Sequence, residues 1–397
     1  MLRPRASFLL TLAAAEAGVR LLAPRDAPPS PEPADVHAHF SAEEIRRGAR
    51  FARPQLALAM ARSATELGTL AAIVRRPPRW LRRRHAHPVR ASAIAGAGLT
   101  VALSLPPLPL SALARRRALT AGLATQSWGG WASDLVKATT IESALAGAGA
   151  AAVTAATRRY PRGWWAVGAV GSVAVGATFA ALAPVLLDPV FNDYEPLPEG
   201  ELRSDVLELA RAAGVKVGEV YSVDASRRTT AANAYVTGLG PTKRVVLFDT
   251  LIDRYERDQV RVVVAHELAH VRHRDVARGV GYGALVAPAA ALAVQRFSWV
   301  LSRERGTAAA LPALALAATL VAAPTGLIGN RLSRAVERRA DGYSLELTAA
   351  SDAFVSFERQ IALQNIADLD PPRWVSALAT HPPTAERIAL ALSYAEN

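Results

Sequence analysis

Seven stretches of this chain are each long and apolar enough to be read as crossing a lipid bilayer, whose hydrocarbon core takes about 20 residues of helix. They run from Ala6 to Ala23, Pro54 to Val74, Ala91 to Leu110, Ile141 to Thr157, Trp164 to Leu187, Gly279 to Trp299 and Ala308 to Gly329. The fifth and seventh are the most apolar; the others lean on alanine, which seeks the membrane only weakly. The first is read as a span, not a cleaved signal, because Glu16 and Arg20 interrupt its apolar core and no small-residue cleavage site follows. The expected fold is therefore mostly α, a polytopic membrane protein. Five spans occupy residues 1–187 and two more occupy 279–330. The segments 188–278 and 331–397 are left to form a domain outside the bilayer.

Charges within spans are costly and usually face a bundle interior or a water-filled cavity. Glu16 and Arg20 stand four apart, as do Arg62 and Glu66, so each pair can close an ion pair on one helix face. These pairs fit either a wet chamber inside the bundle or helices that are short, tilted or partly outside the bilayer. The chain carries a formal charge of +12, nearly all of it from Arg. The arginines cluster between apolar runs and are not interleaved with aromatic residues. That pattern belongs to a membrane protein's loops and speaks against a nucleic-acid partner. With 0 cysteines, disulfides, thiolate metal sites and a cysteine nucleophile are excluded.

The segment between the fifth and sixth spans has a different texture. Leu202 to Ala213 has helical apolar spacing, Glu219 to Val223 and Val245 to Asp249 read as strands, and Leu251 to Arg272 reads as one long helix. Beyond the seventh span, Leu332 to Ala349 and Ala353 to Ala367 read as helices, and Asp370-Pro371-Pro372 breaks the chain. Pro24 to Pro33 is a proline-rich loop. No internal repeat is visible.

Within the long helix lies VVVAHELAHVRHRD, Val262 to Asp275. His266 and His270 are i and i+4, so both imidazoles leave one face about a turn apart, a spacing that suits two corners of a tetrahedral zinc. Glu267 sits one residue round, close enough to take a proton from the attacking water and return it to the leaving amine. The bland alternative is a buried helix with satisfied histidines, and the apolar approach Val262–Ala265 suits a core helix that presents a site. His273, between Arg272 and Arg274, reads as a surface residue. A third protein ligand must come from elsewhere, because no further histidine follows at zincin spacing. Glu337, in SRAVERRAD, is the choice, with Asp341 four residues on to hold a histidine's free ring N–H. The alternative is a solvated Glu among arginines.

Several longer stretches carry a family likeness: TQSWGGWASDLVK (Thr125 to Lys137), PRGWW (Pro161 to Trp165), LLDPVFNDYEPLPEGELR (Leu186 to Arg203), ANAYVTGLGPTKRVVLFDTLI (Ala232 to Ile252), SRAVERRAD (Ser333 to Asp341) and THPPTAERI (Thr380 to Ile388). In this order, with HELAH, they resemble the type I CAAX prenyl endopeptidases, integral-membrane zinc metalloproteases, over nearly the whole chain. The resemblance implies seven transmembrane helices around a hydrophilic chamber and a zincin-like domain with a small β-sheet. It implies one Zn2+ per chain on His266, His270 and Glu337, with Glu267 as general base. Asn233, Ala234 and Tyr235 would form an edge strand that pairs with an extended peptide or membrane-associated protein substrate. His381 and Arg387 would face the site, where either could stabilise an oxyanion. Ala269 departs from the family's glycine, a small change.

Two matters stay open. The Ala- and Arg-rich composition looks like that of a high-GC bacterium, where a farnesylated substrate need not exist, so quality control of membrane proteins stands beside prenyl-dependent processing. An inactive scaffold would need a damaged site, and a transporter would not account for HELAH. Orientation is the second. Arg3 and Arg5, Arg75 to Arg90, Arg158 to Arg162, and Arg303 and Arg305 all fall on one side of seven spans, which the positive-inside rule makes cytoplasmic. The 188–278 domain would then face outward, whereas the resemblance implies that it faces the cytosol.

Overall fold

The computed structural model describes residues 3–82, 86–238 and 243–396. All seven predicted spans fall on helices: α1 (Pro4–Leu22), α2 (Ala42–Arg75), α3 (Pro88–Ser104) with α4 (Leu108–Thr120), α5 (Trp128–Arg159), α6 (Trp164–Leu186), α9 (Asp275–Leu301) and α10 (Leu311–Thr348). Among the described residues four helices are long and apolar enough to cross a membrane: α2, α6 with its continuation to Phe191, α9, and α10 with the short turn before it. The α3–α4 pair, bent by 51°, passes jointly as a fifth. Length and apolarity thus single out four or five of the seven. Helix α1 falls short because it carries Arg5, Glu16 and Arg20. Its Glu16 is held by Arg20 at 2.8 Å and by Arg331 of α10 at 2.6 Å. The second expected pair, Arg62 with Glu66, does not form.

Helices α10 and α2 are much longer than a bilayer needs, and this decides where the site lies. The seventh span and the helix expected after it are one continuous rod, α10, of 38 residues. At 1.5 Å per residue it reaches about 57 Å, well past the hydrocarbon core. Its apolar half crosses, and its second half carries Glu337 and Asp341 into the domain outside. Helix α2 does the same from the other direction. Its first turns pack on the domain, where a Cβ at Gly48 would meet the Ala367 carbonyl oxygen at 2.0 Å and Arg53 pairs with Asp368 at 2.8 Å.

Outside the bundle, β1 (Tyr194–Pro196), β2 (Glu219–Val223), β3 (Ala234–Thr237) and β4 (Arg244–Phe248) form a sheet in the order β1-β2-β4-β3. The β2–β4 pair is parallel and the outer two pairs are antiparallel, which leaves β3 at an edge. Alternation sends Val220, Val245, Leu247 and Ala234 to one face. There they join α7 (Glu201–Ala212) and the HELAH helix α8 (Arg257–Arg272) in the main apolar core. The long helix expected from Leu251 is broken. Tyr255 and Glu256 are extended, and a new helix starts where Glu256 and Gln259 exchange side-chain and backbone hydrogen bonds in a capping box. Residues 239–242 of the ANAYV…LFDTLI stretch and 83–85 of the basic loop lie outside the described residues.

The basic connections gather at the end of the bundle away from the sheet. A Cβ at Gly306 would meet the Arg158 side chain at 2.9 Å, Gln295 donates to the Arg162 carbonyl, and Leu81 packs with Ala308 and Leu311. Phe8 of α1 stacks edge-on against Phe297 near the same end, at 5.8 Å.

Helices α3 and α5 show how alanine-rich spans can cohere without bulky side chains. A Cβ at Gly96 would lie 2.6 Å from the Ala150 Cβ and 2.8 Å from the Ala146 carbonyl oxygen. One at Gly147 would lie 2.9 Å from the Ala93 oxygen, so the backbones touch through small residues. Gly96→Val should therefore pry the helices apart and lower the thermal midpoint of the detergent-purified protein by several degrees, a loss of about 1–3 kcal/mol from overpacking. Gly149→Val, on an open face of α5, should leave the midpoint within a degree or two, and equal shifts in the two variants would refute the close packing.

Candidate metal centre

Three acceptor groups converge where α8 meets the far half of α10. The His266 and His270 Nε2 atoms are 3.1 Å apart. Glu337 places Oε2 3.3 Å from the first and Oε1 3.8 Å from the second. One ligand atom from each residue lies within 4.8 Å of the others. The Nδ1 atoms point away and find carboxylates, Asp341 at 2.8 Å for His266 and Asp275 at 3.1 Å for His270. A carboxylate accepts, so each Nδ1 is assigned the proton and each Nε2 the lone pair. Two lone pairs and a carboxylate facing each other in a buried site repel unless a proton or a metal ion lies among them. The buried Glu337 Oε2 also has no hydrogen-bond partner. Burial disfavours the His266 imidazolium, yet Asp341 and Glu337 outweigh it and hold its pKa up to about 10. The pocket calls for positive charge, and its N,N,O donor set fits a divalent metal of the zinc type.

The local fold explains the second carboxylate. Arg274 has φ 55°, a left-handed residue between α8 and α9 that ends one helix and turns the next. The turn brings Asp275, the first residue of α9, back onto His270, which a continuous helix would not allow at i+5. Asp275 was not singled out from the sequence, because nothing in HVRHRD marks the left-handed turn that returns it to His270.

Glu267 follows His266 and lines the same cavity, and burial pushes its carboxyl pKa up. The cavity, about 520 Å³, opens from His266, Glu267 and His381 and runs between α8 and α11 (Ser351–Gln364). Phe354, Phe357 and Ile361 of α11 and Val262 and Val263 of α8 are among its apolar lining residues. His381 stands in the exposed loop before α12 (Thr384–Ala395), its Nε2 3.4 Å from Glu337 Oε2 and its Nδ1 3.0 Å from the Thr380 hydroxyl.

Arg387 faces the cavity, as expected, but its partners favour a different role. Its Nε and Nη2 donate to Asp341 at 2.9 and 2.6 Å, and its Nη1 lies 2.6 Å from buried Glu358. Glu358, whose pKa burial pushes up to about 7 against the pull of Arg387, was missed. A lone acid on the apolar face Phe354–Phe357–Ile361 of α11 was the available signal.

Asn233 and Ala234 border the cavity at the free edge of β3, whereas Tyr235 does not. Its ring faces the opposite side of the sheet, with its hydroxyl 2.8 Å from that of Tyr194. Any pairing at Tyr235 would use its backbone. His273 is also not the solvated residue expected. It is partly buried, its Nδ1 is 2.9 Å from the Ala269 carbonyl oxygen, and it stands apart from the three converging groups.

The family model of peptidase family M48 matches residues 196–395. An uncharacterized metalloprotease, YhfN of Bacillus subtilis, is 30% identical over 300 residues, covering 73% of this chain and 70% of that protein. CAAX prenyl protease 1 of Saccharomyces cerevisiae is 33% identical over 141 residues, spanning only 31% of its own length. The crystal structure of S. mikatae Ste24p superposes with a TM-score of 0.76 over 98% of this chain and 97% of that one, at 19% identity, a likeness of fold.

The Asp275 contact yields a direct expectation. Asp275→Ala removes the partner that orients His270 and should weaken metal binding about 10-fold, measured by competition with a chromophoric chelator. Unchanged affinity would show that the His270 ring needs no such partner.

Proposed function

The chain belongs to peptidase family M48, and from that premise we propose that it is a membrane-embedded zinc endopeptidase that cleaves extended peptides beside the bilayer. The observation that supports this most is the convergence of His266, His270 and Glu337 next to Glu267, at the mouth of a cavity flanked by the unpaired edge of β3.

In this reading His266, His270 and Glu337 hold one zinc. Bound there, it would act as a Lewis acid toward the scissile carbonyl and the attacking water. The β3 backbone at Asn233–Tyr235 aligns the substrate by strand addition, and the cavity between α8 and α11 takes an apolar side chain. Glu267 accepts the proton as water adds to the carbonyl carbon. As the C–N bond breaks, it passes that proton to the departing amine. Partial burial favours this role by bringing the carboxyl pKa closer to neutrality. His381 donates an N–H to the developing oxyanion. Asp341 and Asp275 hold the ligand rings, and Arg387 serves Asp341 without reaching the substrate.

Proteolysis by the purified protein tests this on two matched peptides, one ending in a farnesylated CAAX sequence and one unprenylated. Glu267→Gln should lower kcat by about 10²–10⁴-fold on any peptide that the wild type cuts. Cleavage of both peptides points to general quality control and cleavage of the prenylated one alone to prenyl-dependent processing. Full activity in Glu267→Gln would end the proposed mechanism.

The charge of the bundle bears on orientation. The basic end carries Arg3, Arg5, Arg75 to Arg90, Arg158 to Arg162, Arg303 and Arg305, with Glu304 as its one acid. At the other end the arginines are interspersed with acids, and several face one, as Arg53 faces Asp368 and Arg331 faces Glu16. We therefore propose that the basic end is cytoplasmic and the metal centre faces outward, opposite to what the CAAX-family resemblance implies. Fused at the C-terminus in a bacterial host, alkaline phosphatase should be active and green fluorescent protein dark. The reverse would place the metal centre in the cytoplasm.

A further inference from the structure

Both histidines are backed by a chain of alternating charge. His270 leads to Asp275, then Arg339, then Asp26. His266 leads to Asp341, then Arg387, then Glu358. The sequence of groups is the same, imidazole, carboxylate, guanidinium, carboxylate, but the chains end differently. Asp26 lies in the proline-rich loop, 61% exposed and 3.6 Å from Arg339, where solvent screens it and little coupling is expected. Glu358 is 2% exposed and 2.6 Å from Arg387. It projects from α11, while Arg387 is on α12 and Asp341 on α10, so three helices meet in this chain.

We propose that Glu358 is a positioning residue for the metal centre, acting through Arg387 and Asp341 on His266. The inference rests on the reading of His266 as a ligand. Asp341 has two nearby cationic or donor groups, the His266 N–H and the Arg387 guanidinium, and it cannot serve both fully. Left to Asp341 alone, Arg387 would draw off its charge and weaken the hydrogen bond that makes His266 a good donor. With Glu358 on its other side, Arg387 is shared between two carboxylates, its Nη1 is fixed, and Asp341 retains charge for the imidazole. Because Glu358 also borders the substrate cavity with Phe354 and Phe357, the same residue joins the peptide-facing wall to the metal ligand.

Zinc affinity of the full-length detergent-purified protein, stripped and then titrated against a chromophoric competitor, reads this without reference to proteolysis. Glu358→Gln should weaken zinc about 3- to 10-fold, less than loss of a direct partner of the ligand, and Glu358→Asp, which keeps the charge, should recover most of the loss. A purely structural role would lower the thermal midpoint of the metal-free protein and leave affinity alone. Should Glu358→Gln not fold, Glu358→Leu stands in, since its neighbours are apolar. In whichever variant folds, zinc held as tightly as by wild type overturns the proposal. His266→Ala separates the two readings in the same assay. If it binds zinc like wild type, the ligand reading fails. If it loses zinc while the Glu358 variants do not, only the role of Glu358 fails.

Discussion

Two imidazole lone pairs and a carboxylate held within 4.8 Å of one another repel unless a cation lies among them. Much of the remaining structure can be understood as what it takes to hold them there. Carboxylates behind both Nδ1 atoms set the tautomers. Those carboxylates, Asp341 buried and Asp275 partly so, need guanidinium partners, which Arg387 and Arg339 supply. Such a nest keeps its geometry only if its elements cannot slide. Helix α8 is locked by a core of Val260, Val262, Val264 and Leu268 packed against the sheet. Helix α10 is anchored in the membrane bundle, and α12 is tied to α10 through Arg387. The long α10 rod thus couples membrane embedding to metal-ligand geometry, because one helix must satisfy both.

The bundle faces a different constraint. Inside a bilayer the hydrophobic effect does not drive helices together, so close packing has to do so. The Gly96, Gly147, Ala93 and Ala150 contact between α3 and α5 is of that kind. The same small residues make these helices poor by hydropathy, which is why α5 escapes a criterion built on apolarity. In α1 the Glu16 carboxylate has a cross-helix partner in Arg331, so its charge is a packing element between spans.

What could be read from the sequence divides along the range of the interactions. His266, Glu267 and His270 are local to one helix turn, and their spacing alone places them on one face. Strands β2 and β4, with their β-branched runs, were also legible to within a residue. Glu337 lies 67 residues beyond His270, and the spacing argument only narrowed the choice; the SRAVERRAD likeness supplied the rest. Three features had no local signal. The continuity of α10 was hidden because its composition changes from apolar to charged midway while its helical path does not. The end of the helix at Arg272 was legible, but the left-handed turn at Arg274 was not, because an arginine in that region runs against propensity, and Asp275 was lost with it. Strands β1 and β3 are too short to show alternation, and β3 was expected only through the family likeness.

Arg387 shows how a family likeness can name a residue and leave its job open. A guanidinium beside a catalytic cavity invites the role of oxyanion donor, since it carries charge and several N–H groups. In this structure all three of its nitrogens already face carboxylates. To reach a substrate oxygen it would have to abandon Asp341 or Glu358, and a buried carboxylate stripped of its partner costs about 3–5 kcal/mol. That is comparable to what one oxyanion donor contributes to a transition state, so the exchange gains nothing. His381 has no such debt. It is solvent-exposed, and the carboxylate it approaches is Glu337, which also faces His266 and His270. The division of labour we propose between the two residues follows from burial: the exposed imidazole is open to a substrate, and the buried guanidinium is committed to the carboxylates that it pairs.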